Sequence, residues 1–294
     1  MAESALDERR GTGPGTSAQN DGTGARRADP GRQRRMTRVI SGVVLAAAAL
    51  AAILFLPFVA LRVLACLVAG LAADEYVRIT GSTRSAWRGV VIAAVVYTCW
   101  WAAVPAPASP VLVTLFVMLW LAFAVLRQSR TLRDAAVDLV GPIYIGAPLG
   151  MLVALQMLSG PKATLLQMAT IVVSDSAQYY TGRAFGRRPL APAISPKKTV
   201  EGAIGGVLFG TLFMAVAVPF VFPATPLLVR VVLGIVVVLL GIAGDLFESR
   251  LKRTAGVKDS SALIPGHGGV LDRIDALLFA IPVFYLMVLQ GRVA

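Results

Sequence analysis

Charge is scarce in this chain of 294 residues, where Asp, Glu, Lys and Arg together make up 15%. A soluble domain carries about 25%, with about 45–50% apolar residues. Here hydrophobic residues reach 56% and the mean hydropathy is +0.73. The deficit excludes an ordinary soluble globule and points to a polytopic membrane protein. Histidine occurs once, as His267, and cysteine twice, as Cys66 and Cys99. Both cysteines fall in apolar runs without paired spacing or a CxxC, so disulfide and zinc chemistry are set aside and both read as small buried hydrophobes. Large apolar side chains are almost missing from residues 1–37. That tail cannot bury enough surface to offset its ordering entropy and is expected to be disordered. It is long, it contains Asp21 and Asp29, and no small-residue cleavage pattern follows, so an anchor helix is expected rather than a cleaved signal.

What the chain has in abundance is apolar runs. A span needs about 20 mainly apolar residues. Runs near 39–56, 58–73, 88–104, 110–126, 136–158, 163–181, 202–222, 227–246 and 271–290 predict an all-α protein of about nine transmembrane helices. Pro57 and Gly141-Pro142 leave some boundaries soft. The organisation expected is a tail over 1–37, N-terminal helices over 38–160 and a catalytic region over 161–294.

The linkers give the orientation. Alternate linkers are rich in arginine and lysine: Arg26, Arg27, Arg34, Arg35 and Arg38 in the tail, then Arg78, Arg84 and Arg88, then Arg127, Arg130 and Arg133. Next come Arg183, Arg187, Arg188, Lys197 and Lys198, and finally Arg250, Lys252, Arg253 and Lys258. The linkers between hold only Lys162 and Arg230. This is the positive-inside pattern with a cytoplasmic N-terminus and an odd number of spans. The net charge of +12 is therefore mostly topology and attraction to anionic lipid headgroups, not nucleic-acid binding.

Two of these linkers are denser in polar groups than topology requires. Gly244 to Asp275 reads GDLFESRLKRTAGVKDSSALIPGHGGVLDRID and sits between two predicted spans. Charged residues at a span centre cost roughly 2.5–3.5 kcal/mol each, so the segment belongs in water at the bilayer surface. Asp245 and Glu248 share a helical face, and Asp272 and Asp275 repeat the spacing at the next helix start. Antiparallel packing would bring Asp245 and Asp272 together at the cytoplasmic boundary, where a cation relieves their repulsion. Hard oxygen ligands and a phosphate substrate select Mg²⁺. The same spacing also suits helix-end ion pairs with Arg250, Arg253 and Arg273. Pro265-Gly266-His267-Gly268-Gly269 is a turn whose amides can cradle a phosphate, and His267 suits a phosphate contact or a structural hydrogen bond.

The other linker, Ser174 to Gly202, is SDSAQYYTGRAFGRRPLAPAISPKKTVEG. Alone it would pass for a positive-inside loop, but Asp175 is a carboxylate at the end of an apolar run. Ser195-Pro196-Lys197-Lys198-Thr199 is expected to open a helix, whose free N–H groups and two lysines make an anion-binding corner.

Ser249 to Asp275 resembles the hallmark of the phosphatidate cytidylyltransferases, or CDP-diacylglycerol synthases: S-x-x-K-R, K-D, P-G-H-G-G and D-R-x-D. It is matched by Ser249, Lys252, Arg253, Lys258, Asp259, Pro265 to Gly269, Asp272, Arg273 and Asp275. Upstream, Asp175, Tyr179, Gly182, Gly186, Ser195 to Thr199, Glu201 and Gly202 agree with the same family. Gln178 and Val200 depart from its usual Ala and Trp, which bears on packing or lipid fit more than on chemistry. The resemblance covers about residues 170–290 by motif and the earlier spans only by hydropathy.

The resemblance implies a multi-pass enzyme of the inner or plasma membrane, with its site facing the cytoplasm, that converts CTP and phosphatidate to CDP-diacylglycerol and pyrophosphate. It implies one or two Mg²⁺ ions at Asp245 and Asp272, with Asp275 and Glu248 supporting. Lys252, Arg253, Lys258, Lys197 and Lys198 would meet substrate phosphates, assisted by Asp175, Ser195 and the His267-Gly268-Gly269 turn. Members are commonly homodimeric. Another lipid acceptor would keep the same chemistry. A secondary transporter should show repeated halves and broken helices at mid-bilayer, and the chain has no internal repeat. A non-catalytic assembly protein would not need the paired acids.

Overall fold

The computed structural model describes residues 30–81, 85–104 and 132–293. They form a nearly all-helical bundle: α1 (Pro30–Phe55), α2 (Phe58–Thr80), α3 (Ser85–Ala102), α4 (Leu132–Gly141), α5 (Ala147–Phe185), α6 (Val200–Ala217), α7 (Leu227–Thr254) and α8 (Leu271–Leu289). The run expected as a span near 110–126 lies outside the described residues, as do residues 1–29 of the tail. Helix α1 begins at Pro30, eight residues ahead of the expected start of the helical region at 38. A proline suits a helix start because its missing N–H has no helical partner there.

Among the described residues, three helical stretches are long and apolar enough to cross a membrane: Val137–Phe185, Val200–Phe220 and Leu227–Thr254. The first joins α4 to α5 through a π-helical turn over Pro142–Gly146. Within α5 the chain turns at Gly160, which takes φ 76°, and Pro161 follows. Proline removes a ladder hydrogen bond and glycine accepts the left-handed backbone, so the two expected runs 136–158 and 163–181 become two arms of one bent helix.

Among the described residues the all-α expectation is broken by a hairpin, β1 (Pro189–Ala191) with β2 (Ser195–Thr199), antiparallel, and by an isolated bridge between Ile264 and Gly268. Residues Ser195 to Thr199 thus form a strand before α6 rather than its first turn. Pro196 lacks a ladder donor, which is acceptable only on so short an edge. Thr199 still caps α6, its hydroxyl accepting from Gly202 N at 3.1 Å.

Glycines set how closely the last four helices approach. A Cβ on Gly206 would lie 2.4 Å from Gln178 Cγ, so α6 can lie against α5 only with a bare backbone there. A Cβ on Gly244 would lie 2.5 Å from Asp275 O, which brings α7 onto α8 at the level of the acidic residues. One apolar core joins α5, α6, α7 and α8 around Met214, Leu233, Val237, Ile281 and Phe284. A second joins α2 and α3 to the start of α8 through Tyr76, Val91, Val95, Leu271 and Leu278. The outer faces stay apolar: Ile204, Leu208, Leu212 and Val216 recur every fourth residue on α6 and are exposed. Such a stripe suits contact with lipid.

Candidate active site

Helix α7 has 28 residues, about 42 Å at 1.5 Å per residue, against a hydrocarbon core of about 30 Å. Its apolar turns end at Gly244, and the surplus length carries Asp245, Glu248, Ser249, Lys252 and Arg253. Lys252 and Arg253 occupy the last turn, where cations offset the helix dipole. The acids and bases thus lie where the helix outruns the apolar layer.

Two clusters form there. In the first, Lys198 of β2 pairs with Asp245 Oδ2 of α7, and Ser249 Oγ donates to Asp245 Oδ1 at 3.3 Å. Asp175 of α5 accepts from Gln178 Nε2 at 3.0 Å and lies within electrostatic range of Lys198 and Asp245. Asp175, Gln178, Lys198 and Asp245 line a cleft of about 320 Å³ together with Tyr179, Gly182, Arg183, Lys197, Thr199 and Gly202. A second, wholly apolar groove of about 550 Å³ shares Ala203 with it and runs between α6 and α7 along Ile204, Leu208, Leu239 and Leu246. A polar cleft opening beside an apolar groove suits a ligand with a charged head and a hydrocarbon tail.

The second cluster is closed. Lys252 Nζ meets Asp272 Oδ1 at 2.5 Å and also pairs with Glu248, which is fully buried. Asp272 Oδ2 accepts from Ser260 N at 2.9 Å, Ser260 Oγ at 2.9 Å and Gly269 N at 2.8 Å. Asp275, one turn along α8, lies within electrostatic range of Asp245 and Asp175. The helix crossing at Gly244 therefore sets Asp245 beside Asp275, while Asp272 faces Lys252. The ion pairs are made by Lys198 and Lys252, not by the three arginines that helix-end pairing had suggested.

The remaining sequence candidates are placed differently. Arg253 reaches Ile194 O at 3.2 Å and Val257 O at 3.3 Å, tying the hairpin to the end of α7. Lys258 is exposed, and among the described residues it makes no hydrogen bond or ion pair. Ser195 is half-buried in β2. Within the loop 255–270, His267 N donates to Ile264 O and Gly269 N to Asp272, so these two amides face inward rather than toward a ligand. His267 Nδ1 meets Ser41 Oγ of α1 at 2.7 Å, while that hydroxyl also donates to Pro265 O at 3.0 Å. A hydroxyl has one proton, so these contacts are satisfied together when Nδ1–H of His267 donates to Ser41. Gly268, with φ 80°, has Asp272 Oδ2 where a Cβ would fall, at 2.5 Å.

The donor set is carboxylate oxygen, which suits a hard divalent cation. Among the described residues, however, no three Asp, Glu, His or Cys side chains converge as a preformed metal cage. Asp245 and Asp272 are paired with the ammonium groups of Lys198 and Lys252.

Reading the sequence missed Glu75, which is buried on α2 at the back of the second cluster. An acidic pair, Asp74-Glu75, at the end of an apolar run was the available signal.

Fold and site together describe a helical membrane protein with a cluster of lysines and carboxylates at one end. Residues 36–290 match the profile of the Cytidylyltransferase family, and the chain belongs to that family. It is 49% identical over 122 residues to a phosphatidate cytidylyltransferase of Aquifex aeolicus, covering 42% of this chain and 45% of the relative. Against the phosphatidate cytidylyltransferase of Bacillus subtilis it is 36% identical over 181 residues, 58% of this chain and 65% of the relative. It is 40% identical over 129 residues to the uncharacterized protein YnbB of Escherichia coli, 44% of this chain and 43% of that one. The chain thus spans between 43% and 65% of the length of these relatives.

Proposed function

We propose that this protein transfers the cytidylyl group of CTP to phosphatidate, giving CDP-diacylglycerol and pyrophosphate. The observation that carries this reading is the cleft holding Lys197, Lys198, Asp175 and Asp245 beside the apolar α6–α7 groove. Relatives named phosphatidate cytidylyltransferase support the choice of substrates.

In this reading a phosphate oxygen of phosphatidate attacks the α-phosphorus of CTP. A P–O bond forms there, the bond from the α-phosphorus to the bridging oxygen breaks, and that oxygen leaves with pyrophosphate. No protein nucleophile is needed, so catalysis is positioning and charge neutralisation. Lys197 and Lys198 hold phosphate oxygens in the cleft, and the acyl chains stay in the apolar groove. Arg253 and Lys258, both exposed, would meet incoming phosphates. Mg²⁺ would be held by Asp245 and Asp272, with Asp275 and Glu248 in support, and would neutralise charge on the phosphates. Lys198 and Lys252 would then turn from the carboxylates to substrate oxygens.

The same reading has nine spans, a cytoplasmic N-terminus and a site facing the cytoplasm of a cell or inner membrane. Two helical regions meet near residue 160, in a homodimer. Purified protein in detergent, given CTP, phosphatidate and Mg²⁺, should release pyrophosphate and carry labelled cytidine into the lipid phase. Transfer to another lipid phosphate alone would change the acceptor. No transfer to any lipid would overturn the reading.

A further inference from the structure

We propose that Glu75, on a helix far upstream of the motif-bearing segments, is the positioning residue that holds Asp272 and the start of α8 in working geometry. The inference rests on the reading above for its link to catalysis, and on geometry for the rest.

Glu75 is 3% exposed, yet both its carboxylate oxygens are used. Oε1 accepts from Ser261 Oγ at 2.7 Å and from Val270 N at 3.0 Å. Oε2 accepts from Ser260 Oγ at 2.8 Å and from Leu271 N at 2.8 Å. Two of the four donors are backbone amides at the entry to α8, which have no partner inside the helix. A carboxylate there is also favoured by the helix dipole. Val270, which precedes the helix, supplies no capping side chain. Glu75 therefore caps α8 from outside its own segment.

The cap bears on Asp272 through Ser260. Ser260 Oγ lies 2.8 Å from Glu75 Oε2 and 2.9 Å from Asp272 Oδ2, and its one proton serves one carboxylate at a time. Ser260 N binds Asp272 independently at 2.9 Å. The packing leaves no slack: a Cβ on Gly269 would sit 2.0 Å from Ser260 Oγ and 2.4 Å from Glu75 Oε2. Movement of Glu75 frees the loop 259–270 and the first turn of α8, and Asp272 moves with them. Glu75 touches no cleft-lining group, so it acts through Asp272 rather than on substrate.

Glu75→Gln separates this role from simple packing. It keeps the shape but presents an NH₂ to one pair of donors, breaking half of the cap. Full-length protein in detergent should show faster amide hydrogen exchange across 259–272, with α5 and α6 unchanged. Turnover with CTP and phosphatidate should fall on the order of 10–100-fold, as for other residues that orient a ligand side chain. KM for CTP should stay near wild type, and Glu75→Asp, which keeps the charge, should recover part of both losses. Unchanged exchange over 259–272 in folded Glu75→Gln overturns the proposal, and so does faster exchange with wild-type turnover. If Glu75→Gln does not fold, Ser260→Ala with Ser261→Ala removes two of its donors and takes the same two readings. Wild-type protein that transfers no cytidine would defeat the proposed function, while the exchange comparison would still decide the positioning role.

Discussion

The two lysine–carboxylate pairs use the same chemistry in opposite surroundings. Lys198 and Asp245 keep 22% and 27% of their side chains exposed on the wall of a cleft, and Asp245 has one further hydrogen bond, a long one from Ser249. Lys252 and Asp272 keep only 12% and 5%, with three additional donors on Asp272 and the buried Glu248 behind. The open pair is free to exchange partners with an incoming phosphate or cation at small cost, because water already solvates it. The closed pair can do so only when another cation takes the place of Lys252, because separating buried charges without a replacement is expensive. One pair therefore opens readily to ligand and the other only on replacement of its charge, and substitutions should tell them apart.

The largest effect is expected from Asp272→Ala. It leaves Lys252 with Glu248 alone and strands the amides of Ser260 and Gly269, and each donor left unsatisfied in a buried site costs about 1–3 kcal/mol. Thermal unfolding in detergent should show that loss alongside abolished transfer; a fully stable variant would erase the contrast. Next comes Asp245→Asn, which should reduce transfer on the order of 10²–10³-fold, as for other groups that stabilise transition-state charge. Its melting temperature should stay near wild type, because partly exposed ion pairs contribute only about 0–1 kcal/mol.

Gly269→Ala tests the rigidity of the closed side. Its methyl would meet Ser260 Oγ and Glu75 Oε2, and overpacking of this kind costs about 1–3 kcal/mol. Lys198→Ala should raise KM for CTP by about 10-fold, the scale of a lost hydrogen bond to a charged group, with stability unchanged. An unchanged KM would move the nucleotide away from the open pair. The smallest effect is expected from Tyr76→Phe, one residue from Glu75. It removes a 2.7 Å hydrogen bond to Val137 O, about 1 kcal/mol, and should leave transfer intact.

Helical architecture was legible because apolar runs long enough to span must satisfy their own backbone hydrogen bonds, and helices do so locally. The hairpin over 189–199 was not. It is short, and Ser195 to Thr199 reads equally well as a helix start. Asp245, Glu248, Asp272 and Asp275 were legible as a group, since their spacing places them at neighbouring helix ends. Which acid faces which was not, because it depends on Gly244 letting α7 settle on α8 beside Asp275.

Composition and local pattern were enough for helices, a charged cluster where α7 outruns its apolar turns, and membership of a family recognised by a run of charged residues. These are properties of neighbours along the chain, and periodicity encodes them. The division into an open and a closed pair, and the reach of Glu75 across 185 residues to Ser260, were settled only by tertiary packing. Burial of a carboxylate is decided by whichever helices surround it, and no local spacing around Glu75 announces the donors that make its burial affordable.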